Sequence, residues 1–468
     1  MDKKQIGAIV NKGPQDWAIV QQRNGTADIV LAGRWHMDEP VREAQAYARV
    51  VREDSAETVV GWTKAEMAEN RSWSVRLNGV KAGGLYRIET CLQVDGNPAM
   101  EWAIRGDMIH HVGVGDLWLI AGQSNAAGYG KGPVNDPPEL GVHLLRNSGR
   151  WDLASHPFNE STNTLHIENR ETANPGHSPF LAFAKLLKRE LGYPIGLVQT
   201  ALGGSPLKAW NPLEDGTLYR NMLSVVRDAG GSAKGVVWYQ GCSDCYPGDC
   251  ETYAARFRQM VEQWRADLGE PALPFVTVQL NRYTKGGGTE EDDRAWGLVR
   301  EQQRVAARDI PNVTVVPAID SPLSDEIHNS PAGNLIIGER TARAALASVY
   351  GRDVHFRAPE IAGASYVAAD AGGPAVELKY DHVGGYLVSI GPNHPVFTVE
   401  DEDGRAPIEE WSISGRSGIR IRLARPLRGQ AFVHGGFERN PAPYFPLDSL
   451  TYMPPLSFYQ YPIRSAEH

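Results

Sequence analysis

At 468 residues the chain exceeds what one hydrophobic core organises, so two or three units are expected, one of them large. Hydrophobic residues at 42% and charged residues at 22% exclude wholesale disorder and a fibrous repeat. The net charge of −9 comes without a basic block, which argues against nucleic acid and anionic membrane as partners and suits a neutral ligand.

The start, MDKKQIGAIVNKGPQDW, lacks the apolar run of a secretory leader, and no window approaches 18 consecutive apolar residues. A soluble, cytoplasmic protein is expected. The four cysteines, Cys91, Cys242, Cys245 and Cys250, do not make a disulfide framework. From Trp17 to about Met108, short runs rich in β-branched and aromatic residues alternate with turn residues: AIVQ (18 to 21), ADIVL (27 to 31), ETVVGW (57 to 62), WSVRL (73 to 77) and LYRIETCLQV (85 to 94). That spacing predicts a β-sandwich.

Near Asp116 the period changes. Buried apolar strands are expected at DLWLIAG (116 to 122), GLVQTALGG (196 to 204), GVVWYQG (235 to 241), PFVTVQLN (274 to 281) and NVTVVPAID (312 to 320). Helical patterns stand between them at 181 to 191, 253 to 268 and 334 to 350; in the second, Tyr253, Phe257, Met260, Val261, Trp264 and Leu268 share one face. Alternating strands and helices predict a parallel sheet covered on both faces. After about Val354 the β pattern returns, at YLVSIG (386 to 391), IRIRLA (419 to 424) and QAFVHGG (430 to 436). The expected division is an N-terminal β-sandwich-like unit over 1–113, an α/β unit over 114–353 and a C-terminal β-rich unit over 354–468.

In an open α/β sheet, ligands bind outside the carboxyl ends of the strands, and four polar sites fall there. The first is Gly122-Gln123-Ser124-Asn125, which holds the Ser124 hydroxyl on a tight turn. The second is Ala201-Leu202-Gly203-Gly204-Ser205, where glycines let backbone N–H groups approach a developing oxyanion. The third is Trp238-Tyr239-Gln240-Gly241-Cys242-Ser243-Asp244, in which Gln240 carries a side-chain amide donor. The fourth is Asp325-Glu326-Ile327-His328, where a carboxylate three residues before a histidine can accept its Nδ1–H and leave Nε2 to take a serine proton. Each motif alone is weak. Their order along successive strands supplies nucleophile, oxyanion donors and base together.

These residues resemble the SGNH hydrolases, and within them the sialate O-acetylesterase-like carbohydrate esterases. The resemblance rests on GDLWLIAGQSNAAG around Ser124, IGLVQTALGGSPLKAW ending at Trp210, VVWYQGCSD around Gln240, REQQ at 300 to 303 and DEIH ending at His328, with GPQDWAIVQ and AGGLYRIE extending it towards the N-terminus. It implies a flavodoxin-like three-layer α/β/α catalytic domain, no cofactor, and hydrolysis of acetyl esters on an acetylated carbohydrate. By that resemblance Ser124 is nucleophile, His328 base and Asp325 its orienting acid, with Gly203 and Gln240 as oxyanion contributors. Gln123, Asn125 and Trp210 are candidate substrate contacts. Two departures stand out: Cys242 replaces a Glu usual in the family, and Asn329 and Asn334 replace a Pro and a Lys.

Other features read more plainly. The cysteine trio has C-x-x-C spacing but no fourth ligand, so no metal is expected. The acidic run Glu290 to Asp293, after glycines 286 to 288, reads as a solvated loop. His110 and His111 are expected at a unit junction. Rival readings are a carbohydrate-binding protein without catalysis, a general carboxylic-ester hydrolase, and, more distantly, a metal-dependent phosphoesterase. The sequence leaves oligomeric state open.

Overall fold

The computed structural model describes residues 5–96, 99–370, 373–389 and 395–465. It is a mixed α/β structure with β-rich regions on either side in sequence.

In the N-terminal region, strands Gly7–Lys12, Thr26–His36, Ser72–Lys81 and Glu66–Met67 form a four-stranded sheet. Strands Thr58–Lys64, Ala44–Arg52 and Leu85–Val94 pair antiparallel in that order and lead onto the first half of the long strand Ile104–Gly122. Alternate side chains face inward, as in Ala27, Ile29 and Leu31, and meet Val50, Leu77, Ile88 and Val112 in a separate core.

The 19-residue strand Ile104–Gly122 is longer than the seven-residue strand expected at 116 to 122. Its first part pairs with Leu85–Val94 and its second enters the parallel sheet, so one backbone runs through both. His111 sits near this change of partner at φ 57, where the Glu53 carboxylate accepts its backbone N–H and pairs with Nδ1 at 2.8 Å.

The parallel sheet runs Val142–Leu145, Ile195–Gln199, Ile104–Gly122, Gly235–Tyr239, Phe275–Val278, Val313–Val316, with the short Trp151–Leu153 antiparallel on one edge. Its strands are buried throughout, for example Leu117, Leu119, Val236 and Val276. The connection from Ile104–Gly122 runs to Val142–Leu145 on one side of it, and the connection from Ile195–Gln199 crosses to Gly235–Tyr239 on its other side. The carboxyl end of Ile104–Gly122 is therefore the topological switch point, where a crevice opens.

The helices are α1 (Ser124–Ala127), α2 (Phe180–Leu191), α3 (Leu207–Trp210), α4 (Thr217–Asp228), α5 (Asp249–Asp267), α6 (Glu290–Asp309) and α7 (Pro331–Ser348). Helices α2 and α7 pack on each other, as do α5 and α6. The expected loop at Glu290 to Asp293 is instead the first turn of α6. Thr289 caps it by accepting the Asp292 N–H at 3.2 Å, and four acidic side chains sit against the positive end of the helix dipole.

In the C-terminal region a five-stranded sheet (Ile408–Ser414, Gly418–Leu423, Gly373–Asp381, Glu360–Asp370, Arg464–Ser465) lies with a four-stranded one (Gly404–Ala406, Phe397–Asp401, Phe432–Gly435, Phe458–Pro462) over a core that includes Val376, Trp411, Ile421 and Val433. The strand expected at 386 to 391 is present as Leu387–Val388, and its last two residues lie outside the described residues. Fully buried Arg300 of α6 joins this region to the α/β sheet, donating to the carbonyls of Leu280, Asn281, Gly436 and Phe437. No helix among the described residues is long and apolar enough to cross a membrane.

Candidate active site

Gly122 ends the central strand at φ 125, and a Cβ there would lie 2.3 Å from the Tyr239 carbonyl oxygen. Only glycine lets the chain turn so tightly against its neighbour. The turn delivers Ser124 as the first residue of α1, buried at the switch point.

From the other side, the loop after Val313–Val316 brings in His328. Its Nε2 lies 2.9 Å from Ser124 Oγ and its Nδ1 lies 2.7 Å from Asp325 Oδ2. With the ring proton on Nδ1 donated to the carboxylate, Nε2 accepts the serine O–H. The other Asp325 oxygen accepts the backbone N–H groups of Ile327 and His328, at 2.9 and 2.7 Å. Burial acts to raise the Asp325 carboxyl, but these N–H groups and the imidazole outweigh it and hold it below its ordinary value. Asp320, the other acid near this loop, is committed to a two-point pair with Arg340.

The remaining sequence candidates are placed differently. Asn125 does not face the crevice: its Oδ1 accepts the Asn329 N–H at 3.0 Å and its Nδ2 donates to the Ile327 carbonyl at 3.2 Å. It fastens the residues on both sides of His328 to the serine turn. Asn281 adds bonds to the Ile327 carbonyl and to Asn329 Oδ1, and Asn329 donates to the Tyr239 hydroxyl. Gln123 is likewise internal, with Oε1 accepting the Gly241 N–H at 3.0 Å.

Gln240 requires a correction. Its amide is fully buried and both donor positions are used, on the Ser205 carbonyl at 3.2 Å and on the Asp244 carboxylate, while Oε1 accepts from the Tyr253 hydroxyl. It braces this loop and offers no free hydrogen to an oxyanion. Trp210 is corrected in the same way. It is fully buried, donates to Ser205 Oγ at 3.0 Å and packs edge-on against Trp238, so it cannot stack on a sugar. The reason is shared: strand-end position alone does not reveal which side chains turn inward.

Gly203 lies at the crevice, but its N–H donates to Glu171 Oε2 at 3.1 Å. Glu171 and Tyr129 were not legible as site residues, because each stands in an irregular stretch with no periodicity around it. The Tyr129 ring stacks on His328 with centroids 4.8 Å apart. The REQQ stretch lies on α6, where Gln303 donates to the Gln240 carbonyl and accepts the Leu280 N–H, holding two strand ends together. Cys242 follows Gly241, and burial pushes its thiol, like that of Cys250, up to about 12.

One further cluster has ligand-like composition. Asp136 Oδ2 meets His156 Nε2 at 3.0 Å and His177 Nε2 at 3.1 Å, with Lys185 Nζ 2.8 Å from Oδ1. His156 Nδ1 accepts the Ser178 N–H, which leaves its ring proton on Nε2, aimed at the carboxylate. The group is a hydrogen-bonded anchor for the start of α2, with a cation already on the acid, and it does not fit a metal. A cavity of 720 Å³ around Arg304, Phe356, Arg357 and His382 contains none of Ser124, Asp325 or His328.

Comparisons with known proteins agree on one grouping. The family "Carbohydrate esterase, sialic acid-specific acetylesterase" matches residues 114–347, half of the chain. A relative described as "Probable carbohydrate esterase" from Arabidopsis thaliana is 32% identical over 257 residues, covering 50% of this chain and 90% of that protein. Human sialate O-acetylesterase is 25% identical over 280 residues, and the chain spans about half of that relative, 52%. A solved carbohydrate acetylesterase from Xanthomonas citri superposes with TM-score 0.67 at 25% identity, covering 96% of this chain and 98% of that one. The chain belongs to the carbohydrate esterase family of sialic acid-specific acetylesterases.

Proposed function

We propose that this chain is a serine esterase that removes O-acetyl groups from carbohydrate through an acyl-enzyme, with Ser124 as nucleophile, His328 as general base and Asp325 as its orienting acid. The observation that carries this reading is the Ser124–His328–Asp325 chain of contacts, 2.9 and 2.7 Å, at the switch point of a parallel sheet. As Oγ attacks the acetyl carbonyl carbon, Nε2 takes its proton, and Asp325 stabilises the imidazolium that forms. Collapse of the tetrahedral intermediate expels the sugar alkoxide, which receives that proton. Water, deprotonated by His328, then attacks the acetyl-serine and releases acetate. No step needs a cofactor.

The Ala126 and Ala127 N–H groups donate to the Gln123 carbonyl at 2.8 and 2.9 Å and fix the turn that carries Ser124. Gly203 serves an oxyanion only where Glu171 releases its N–H. The pairing of α2 with α7 and of α5 with α6 supports a flavodoxin-like three-layer arrangement of the catalytic unit. Among the described residues a large hydrophobic core in each region supports division into units over 1–113, 114–353 and 354–468, with Ala18 and Ile19 packed in the α/β core and a small fourth cluster of Val315, Ala358, Met453 and Leu456 bridging to the C-terminal region.

The acetyl group resides on a sugar: sialate, or an oligosaccharide from plant polysaccharide. Acetate release measured across acetylated sialic acid, acetylated xylo-oligosaccharides and acetylated pectic fragments tests this. Turnover of at least one class is expected. Binding without acetate release would return the chain to a carbohydrate-binding protein, and preference for simple aryl or lipid esters would make it a general esterase.

A further inference from the structure

The hydrogen bond from His328 to Asp325 fixes one atom of the imidazole and leaves its plane free to swing about that bond. Asp325 stands on a surface loop with its side chain 47% exposed, and the N–H groups that hold it, of Ile327 and His328, belong to that same loop. A serine proton can be accepted only when Nε2 points along the Oγ–H direction, and that demands a second constraint on the ring.

Tyr129 is placed to supply one. Its ring lies against the His328 imidazole, centroids 4.8 Å apart and planes 29° from parallel. It follows directly on Gly128, which ends α1 at φ 100 with Ser178 backbone 3.0 Å from where a Cβ would be. Nucleophile and stacked ring are thus carried on one short, sterically fixed segment. The Tyr129 hydroxyl stands beside the Glu171 carboxyl: both approach Gly203, 2.6 and 3.1 Å from where its Cβ would lie.

Glu171 is an unusual anchor, an acid only 2% exposed. Burying a carboxylate costs several kcal/mol unless donors converge on it. Here they do: Oε2 accepts from Asn159 Nδ2 and the Gly203 N–H, each at 3.1 Å, and Oε1 accepts the Thr172 N–H at 3.0 Å. Asn159 in turn donates to the Ala201 carbonyl. The acid is thereby tied to the loop after strand Ile195–Gln199, beside the Tyr129 hydroxyl.

We propose that Tyr129, stacked on His328 with its hydroxyl beside Glu171, is a positioning residue that sets the plane of the His328 imidazole and favours its protonated form in the transition state. An aromatic face attracts a cation more than a neutral ring, so the stack strengthens as His328 takes the serine proton. The benefit falls on kcat, because the charge exists only after substrate is bound.

This rests on His328 being the base, and the experiment separates the two ideas. Four variants are compared for kcat, KM and thermal midpoint on one acetylated sugar: Tyr129→Leu, Tyr129→Phe, Glu171→Gln and, as control, Ser124→Ala. Tyr129→Leu is expected to lower kcat about 3- to 30-fold, the worth of a cation–aromatic contact, with KM within about twofold. Tyr129→Phe keeps the ring and should recover most of that loss. Glu171→Gln keeps shape and an acceptor and should cost kcat less than Tyr129→Leu, again without a KM change. A folded Tyr129→Leu with wild-type kcat overturns the proposal, as does a lowered midpoint with unchanged kcat. If Tyr129→Leu does not fold, a folded Tyr129→Phe whose kcat falls by the full about 3- to 30-fold expected for losing the ring overturns it, since the ring would then do nothing without the hydroxyl. Retained activity in Ser124→Ala instead defeats the esterase reading itself.

Discussion

Asn125 accepts the backbone N–H of Asn329 at 3.0 Å, and through this bond the residue beside the nucleophile holds the residue beside the base. Its amide hydrogen bonds Ile327 on the other side of His328, so one side chain sets the distance between two loops far apart in sequence. Asn125→Ala leaves the buried Asn329 N–H without its acceptor, which costs about 1–3 kcal/mol. It also lets His328 drift, and misplacement by about 1 Å can cost about 100-fold in rate. The expected result is a loss of roughly 10- to 100-fold in kcat with little change in KM, measured by steady-state acetate release. A rise in KM alone would show that Asn125 touches substrate after all.

Gln240 makes the opposite kind of prediction. Gln240→Leu removes both donors from the Asp244 carboxylate and the Ser205 carbonyl in a fully buried place. Asp244 is already raised by burial and is held by Gln240, the Leu207 N–H and Arg256. A destabilisation of about 1–3 kcal/mol should appear in denaturant unfolding. Unchanged stability with a 100-fold loss of kcat would mean that the amide turns towards the oxyanion during the reaction.

The pH response of Asp325 follows from its depressed pKa. Its hydrogen bonds favour the carboxylate, so the stability it contributes is fully present above the unfolded value of 3.8 and is lost as pH falls through the lower, native value. The thermal midpoint of wild type should exceed that of Asp325→Asn at neutral pH, and the gap should close as pH falls below about 4. A gap that widens below about pH 4 would reverse the assigned direction.

Cys242 follows Gly241 just past the carboxyl end of strand Gly235–Tyr239. Its thiol and that of Cys250 are pushed up to about 12 by burial, and Cys245 is raised well above its ordinary value. All four cysteines are free. At neutral pH these thiols stay protonated and unreactive. The native protein should resist alkylation, Cys242→Ser should keep most activity, and reductant should change neither. Rapid labelling at Cys242, or an effect of reductant that vanishes in Cys242→Ser, would contradict this.

Much of the fold was legible because burial imposes periodicity. The strand Leu85–Val94 and the helix from Phe180 to Leu191 stand within a residue of their expected bounds. Helix α6 was hidden because its first turn is entirely acidic, a pattern that reads as solvent loop until Thr289 is recognised as its cap. Strand Val142–Leu145 was hidden because His143 interrupts its apolar run. Within the site, Ser124, Asp325 and His328 could be found because their chemistry needs particular residue types at strand ends. Asn125 and Gln123 were expected at substrate and Gln240 at the oxyanion because a strand-end amide looks the same whether it faces the crevice or ties loops together. Glu171 and Tyr129 are separated in sequence by strands Val142–Leu145 and Trp151–Leu153, and nothing local marks either of them.

The central claim is that Ser124 carries the acetyl group. Its most direct test is the rate of acetate release by purified Ser124→Ala on an acetylated sugar that the wild type hydrolyses, with folding checked by thermal midpoint. The account predicts a loss of several orders of magnitude in kcat with the midpoint preserved, because among the described residues it is the Ser124 hydroxyl that stands 2.9 Å from His328 Nε2. A folded Ser124→Ala protein that turns over at close to the wild-type rate would contradict it.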